Sequence, residues 1–255
     1  MKIFEIIGRF YISFFVEVGK YINLTISTFL KSLTILKRRE LFFNQAFEVG
    51  VKSIILIISV AFFTGTVTAY QTGAQMVDLV PLTYLGVSVY KMMVMELGPV
   101  LTGVIMAGRY GASIAAEMGT MKVTEQIDAL KSMAIEPIEF LAAPRFVAAI
   151  IMLPIAVIFA NFIGVMGGFL ISNIFFDLNF NEFFNEIQNY FDMMDITIGL
   201  IKTAVFGGII STVGCFVGFE AKGGAEGVGK ATVKAFVLSS VLILIADLVI
   251  ALIML

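Results

Sequence analysis

Three ionisable residues, Glu96, Lys202 and Asp247, stand within or at the ends of stretches that are otherwise apolar. A charge at the centre of a membrane-buried helix costs about 2.5 to 3.5 kcal/mol on insertion scales, so such groups face protein or water and find one another. Two acids and one base can therefore form either a working polar cluster or an interhelical pair that only fixes packing. Covalent chemistry has little to draw on. The chain has no histidine, which removes the commonest general base and the commonest transition-metal ligand, and one cysteine, Cys215. That leaves no disulfide framework and no thiolate cage. The expectation is no catalytic residue, no metal and no cofactor held by this chain. "GAEGVGKAT", Gly224 to Thr232, nearly spells a phosphate-binding G-x-x-x-x-G-K loop. Ala231 stands where a magnesium-binding Ser or Thr is needed, and the stretch follows an apolar run rather than a strand of a βαβ unit. A cytoplasmic turn is the reading that fits it.

What must position those charges is a set of membrane helices. Of the 255 residues, 59% are hydrophobic and 14% charged, with a mean hydropathy of +0.99, far from the quarter charged that is usual in soluble domains. A net charge of -2 argues against nucleic acid as a partner. Ser53 to Val77 carries no charge and is long enough to cross about 30 Å of hydrocarbon. The remaining spans run from about Met92 to Ala116, Phe146 to Phe176, Ile196 to Phe219, and Ala235 to Leu255. The expected fold is all-α and integral to the membrane: one domain over residues 1–255, divided into an N-terminal interfacial helix over 1–45 and a five-span bundle over 51–255.

Lysine and arginine give the orientation. Lys2, Arg9, Lys20, Lys31, Lys37, Arg38 and Arg39 precede the first span, and Lys122, Lys131 and Arg145 follow the second. Lys222, Lys230 and Lys234 follow the fourth, whereas the connection after the first span has only Lys91 and the one after the third only acids. The N-terminus is thus expected in the cytoplasm and the C-terminus outside. In the first helix, Lys2, Glu5, Arg9, Ser13, Glu17 and Lys20 form a polar stripe opposite Ile3, Ile7, Phe10, Phe14, Val18 and Tyr21, the pattern of a helix lying in the interface. A second amphipathic segment, Asn181 to Phe191, belongs to the outer surface. By depth, Glu96, Lys202 and Asp247 all fall toward the outer half, with Glu96 beginning the second span. Arg109 lies nearer the cytoplasmic end, with Glu117 as its expected partner in a structural role.

"MGTMKVTEQIDALKSMAIEP", Met118 to Pro137, lies between the second and third spans. Val123, Ile127, Leu130 and Ala134 recur at helical steps, which predicts one helix over 121–134, capped by Thr120 or Thr124 and stopped by Pro137. Its polar face mixes Glu125 and Asp128 with Lys131, which suits docking to a protein groove better than adsorption to anionic lipid.

The block "ELGPVLTGVIMAGRYGASIAAEMGTMKVTEQIDALKSMAIEPIEFLAAPR", Glu96 to Arg145, resembles the signature region of the MlaE-type permeases, the membrane subunits of ABC transporters that move phospholipids in the bacterial envelope. Gly223 to Ile250 is similar to the family's C-terminal region. The resemblance implies an N-terminal elbow helix, five spans, a homodimer in the bacterial inner membrane, and a cytoplasmic coupling helix between the second and third spans. That helix would engage a cytoplasmic, MlaF-like ABC ATPase, where ATP and magnesium would bind, through Val123, Glu125, Ile127, Asp128, Leu130 and Lys131. A periplasmic, MlaD-like MCE lipid-shuttling protein completes the expected set of partners, and the sequence leaves open whether a small cytoplasmic regulatory subunit joins them. Glu96, Lys202 and Asp247 would then serve a phospholipid headgroup. Members often carry Arg before "ELGP", where this chain has Met95. An ion-coupled secondary transporter and a noncatalytic membrane scaffold are the competing readings, and five spans offer no even inverted repeat for the first.

Overall fold

The computed structural model describes residues 2–33, 39–77 and 79–254, and among them all side chains except those of 2–10 and 14. The side chains of Lys2, Ile3, Glu5, Ile7, Arg9, Phe10 and Phe14, together with Lys37 and Arg38, lie outside the described set. The described residues form helices and their connections: α1 (Lys2–Ser32), α2 (Arg39–Val49), α3 (Val51–Met76), α4 (Leu82–Val123), α5 (Gln126–Ser132), α6 (Ile138–Phe176), α7 (Phe180–Asn189), α8 (Met193–Phe219) and α9 (Gly224–Met254). Five helical stretches are long and apolar enough to cross a membrane: Arg39–Met76, which joins α2 to α3, and α4, α6, α8 and α9. The exposed surface of these spans is greasy, with Ile55, Phe63, Phe159, Phe162, Leu244 and Leu252 all open, which suits lipid as the surrounding solvent.

The spans pack by bringing backbones close. A Cβ placed on Gly65 of α3 would overlap the Gly164 carbonyl of α6, so these two helices cross where neither has a side chain, the small-residue device of membrane bundles. At one end of the bundle, Asn179 and Glu182 form a capping box that starts α7, with Glu182 N–H donating to Asn179 Oδ1 at 3.0 Å and Asn179 N–H to Glu182 Oε2 at 2.9 Å. Phe183 is wholly buried and stacks edge-on against Phe169 of α6. This end holds the acidic connection.

The opposite, basic end is crossed by α1. Lys20 pairs with Glu220 at 3.2 Å, Glu17 with Lys234 at 3.7 Å, and Lys31 with Glu136. Tyr21 and Thr212 share a hydrogen bond of 3.0 Å. α1 therefore runs past the ends of α9 and α8 to the connection between α5 and α6.

Five expectations about the elements need correction. The second span begins at Leu82 rather than near Met92: Lys91, which looked like a loop charge, is met by Asp195 of α8 at 3.3 Å, so the helix can carry it. Residues 121–134 are not one helix. α4 continues to Val123, Glu125 turns left-handed at φ 62, and the seven residues of α5 follow. Neither threonine caps α5; Thr124 Oγ1 instead donates to Thr120 O at 2.8 Å. The "GAEGVGKAT" stretch is not a turn but the opening of α9, and residues 39–45, assigned to the interfacial helix, belong to a helix leading into the first span.

Candidate functional site

The three intramembrane charges meet at one point. Lys202 of α8 is wholly buried, with Nζ 2.5 Å from Glu96 Oε2 of α4 and 2.8 Å from Asp247 Oδ1 of α9. Surrounding a buried ammonium with two carboxylates offsets its desolvation, which one acid alone does poorly. The local chain explains the geometry at Glu96. Pro99 has no N–H to offer the Met95 carbonyl, and the helix widens into a π-turn over Met93–Leu97 in which Gly98 N–H reaches Met93 O. Gly199 of α8 approaches so near that a Cβ there would overlap the Val94 carbonyl, which brings Lys202, one turn on, alongside Glu96.

The members differ in access. The side chain of Glu96 is 46% exposed, that of Asp247 12%, and that of Lys202 not at all. Glu96 is the most open of the three, and Lys202 is enclosed behind its two carboxylate partners. Glu96 does not begin the second span as expected. It lies fourteen residues past Leu82, about 21 Å along the helix at 1.5 Å per residue. Next to it, a groove of about 600 Å³ between α3 and α4 is lined by apolar side chains such as Val60, Phe63 and Leu97 and by as many Thr and Gln side chains, among them Thr64, Gln71 and Gln75.

At the basic end, α5 buries Ile127 and packs Leu130 against the core, leaving Glu125, Asp128 and Lys131 outward. Asp128 accepts hydrogen bonds from Lys122 and Lys131, both at 3.1 Å, and these hold its carboxyl below the usual aspartate range. The helix closes on Ala134 at φ 57, with Ala134 N–H donating to Lys131 O at 3.0 Å and Ile135 N–H to Leu130 O at 2.9 Å, the Schellman pattern. Val123, grouped with these residues from the sequence, belongs to α4.

Arg109 and Glu117 do not pair. Arg109 donates to Ser53 Oγ of α3 from a π-turn over Ala107–Gly111, and Glu117 Oε1 lies 2.7 Å from Nη2 of Arg145. Arg145 was counted from the sequence only as a loop charge. Its signal was present as the single cation at the mouth of an uncharged span, just after Pro144, where burial demands a counter-ion. The Lys91–Asp195 pair was also missed, because its members lie on different spans.

The family model described as "Permease MlaE" matches residues 42–253. A probable ABC transporter permease protein of Rickettsia prowazekii is 39% identical over 97% of this chain and 95% of its own length. One from Synechocystis is 39% identical over 80% of this chain and 78% of its own. The intermembrane phospholipid transport system permease protein MlaE of Haemophilus influenzae is 31% identical over 97% and 95%.

Proposed function

Because this chain belongs to the MlaE permease family, and so is a multi-pass inner-membrane subunit of an ABC transporter, we propose that it moves phospholipids between that membrane and an external MCE shuttle protein. The observation that carries the substrate is the Glu96–Lys202–Asp247 triad, opened to its surroundings mainly through Glu96, beside the amphipathic groove of α3 and α4. The groove offers room for acyl chains, and Glu96, fixed by Lys202, offers a polar contact to the headgroup. The phospholipid named for the Haemophilus relative supports the same class.

In this reading two copies pair and α1 lies in the cytoplasmic interface. The basic end faces the cytoplasm, by the placement of lysine and arginine, with the N-terminus inside and the C-terminus in the periplasm. The outward face of α5 docks to an ABC ATPase in a separate chain, where ATP and magnesium are bound; a small regulatory subunit would join on the same side. Nucleotide binding shifts the permease between states of different lipid affinity, and that difference supplies the bias. A proton-coupled carrier would need no ATPase seated on α5, and a scaffold would need no buried triad.

Purification of the tagged chain from its native membrane, with mass spectrometry of both protein and lipid, tests the proposal. An ATPase subunit and retained phospholipid are expected. A complex with neither sinks it, and an ATPase with only non-lipid cargo overturns the substrate.

A further inference from the structure

The side chain of Arg145, at the start of the long apolar run of α6, is 4% exposed. A cation so placed must be paired. Its Nη1 donates to Leu141 O at 2.6 Å, a carbonyl of the π-turn Ile138–Ala142, and its Nη2 meets Glu117 Oε1 of α4 at 2.7 Å. Glu117 is itself 54% exposed, so this contact draws one oxygen of a hydrated carboxylate onto a buried guanidinium. The pair closes residues 118–144 into a loop fastened at its base, and α5 is carried on that loop.

This end of α4 packs against α8 and α9, with Met118 wholly buried against Gly218 and Gly119 facing Ala221 and Val228, but its flank toward α2 is open. One turn-pair earlier, Arg109 is tied to Ser53 and Tyr110 OH donates to Gln45 Oε1 at 3.1 Å. Beyond that point a cavity of about 1070 Å³ separates Asn44, Gln45 and Glu48 of α2 from Glu117, Thr120 and Met121 of α4. The last turns of α4 therefore have open space toward α2, close packing against α8 and α9, and an ionic tie toward α6. A displacement of α5 would otherwise be spent on bending the end of α4 into that space.

Resting on the ATPase-driven reading above, we infer that Glu117 and Arg145 are positioning residues: they join α5 rigidly to the second and third spans, so that a push on α5 moves both spans together. Neither residue shares a hydrogen bond or ion pair with the triad. The ion pair converts two helix ends and their connection into one lever, with Arg145 also pinning the π-turn from which α6 starts.

The test uses the full-length permease purified with its co-expressed partner subunits in nanodiscs and proteoliposomes. Two quantities are read: amide hydrogen exchange over Gln126–Ser132, and fluorescent phospholipid moved per ATP hydrolysed. Glu117→Ala strands the buried Arg145 but adds no like charge, so its thermal unfolding is measured beside wild type; Glu117→Arg, Arg145→Glu and their combination form a charge swap. Glu117→Ala is expected to speed exchange of α5 and to cut lipid moved per ATP, each at least about fivefold, while the ATPase stays bound and hydrolyses. The swap should recover part of both losses relative to either reversal. Glu117→Ala leaving either quantity within about twofold of wild type overturns the inference, as does a swap no better than the reversals when all three variants are well folded. A wild-type chain that carried no ATPase would sink the functional reading instead, and the exchange measurement would still decide whether the pair fastens α5 to the spans.

Discussion

Glu96 and Lys202, 106 residues apart in the chain, meet at 2.5 Å with one side chain half open and the other wholly buried. The asymmetry separates their roles. Removing Lys202 leaves Glu96 and Asp247 facing each other without a cation. Breaking a buried ion pair from one side costs about 3 to 5 kcal/mol, so Lys202→Ala is expected to lower both the amount of folded protein and the transport rate. Glu96→Ala removes the exposed member while Asp247 still neutralises Lys202. It should leave protein level near wild type and lower lipid transport. Thermal unfolding in detergent, read beside a transport or growth assay, checks both. Normal transport by both variants at normal levels discards a working role for the triad.

The positions of the five apolar spans were legible because 1.5 Å per residue against a fixed hydrocarbon thickness makes length and hydropathy nearly sufficient. Their ends were not. Leu82 to Met92 reads as a connection because Pro81 and Lys91 flank or interrupt it, and the acid that makes Lys91 tolerable, Asp195, comes from another span. The spacing of Val123, Ile127, Leu130 and Ala134 is that of one helix face, yet hydrophobic periodicity says nothing about a single left-handed residue. Glu125 takes that conformation and redirects the chain while Ile127 still reaches the core. Glu117 lies two turns from Arg109 on one helix and invites a local pairing. The deeply buried Arg145 instead has Glu117 as its counter-ion, and that demand is visible only once α4 and α6 stand side by side.

The outward acids of α5 are expected to decide ATPase binding. Reversing Glu125 and Asp128 to lysine turns a mixed surface into a basic one and removes the acceptor of Lys122 and Lys131. Like charges juxtaposed across an interface cost several kcal/mol and change the salt dependence of binding. Copurification of the ATPase with the Glu125→Lys, Asp128→Lys double variant should fall sharply and recover in part at high salt. Undiminished capture after both reversals excludes docking through this face.

Asp128 also sets a pH dependence. Its carboxyl is held below the ordinary value, first by the hydrogen bond from Lys122 and then by that from Lys131. A depressed folded-state pKa contributes stability that is fully present above the unfolded aspartate value, about 3.9, and is lost as pH falls through the lower folded value. Exchange protection of α5, corrected for intrinsic rates, should therefore hold from neutral pH down to about 4 and drop below it. In Asp128→Asn that acid-side drop should vanish, with protection lower at neutral pH. An identical pH profile in the two proteins removes Asp128 from the stability of α5.

Ala134 closes α5 in a conformation that suits glycine. At φ 57 its Cβ crowds the backbone, a strain of roughly 1–2 kcal/mol for an L-residue, while the Schellman hydrogen bonds at Ala134 and Ile135 hold it there. Ala134→Gly relieves the crowding and keeps both bonds, against the larger conformational freedom glycine gives the unfolded chain. The net gain expected is about 0.5–1 kcal/mol, which slows local opening of α5 by roughly two- to fivefold. Hydrogen exchange over Gln126–Ser132 reads that change directly. Because α5 is the element on which the ATPase is proposed to push, a stiffer C-terminal end should raise lipid moved per ATP or leave it unchanged. Slower exchange joined to weaker coupling would mean that α5 works by yielding at Ala134 rather than by moving as a body.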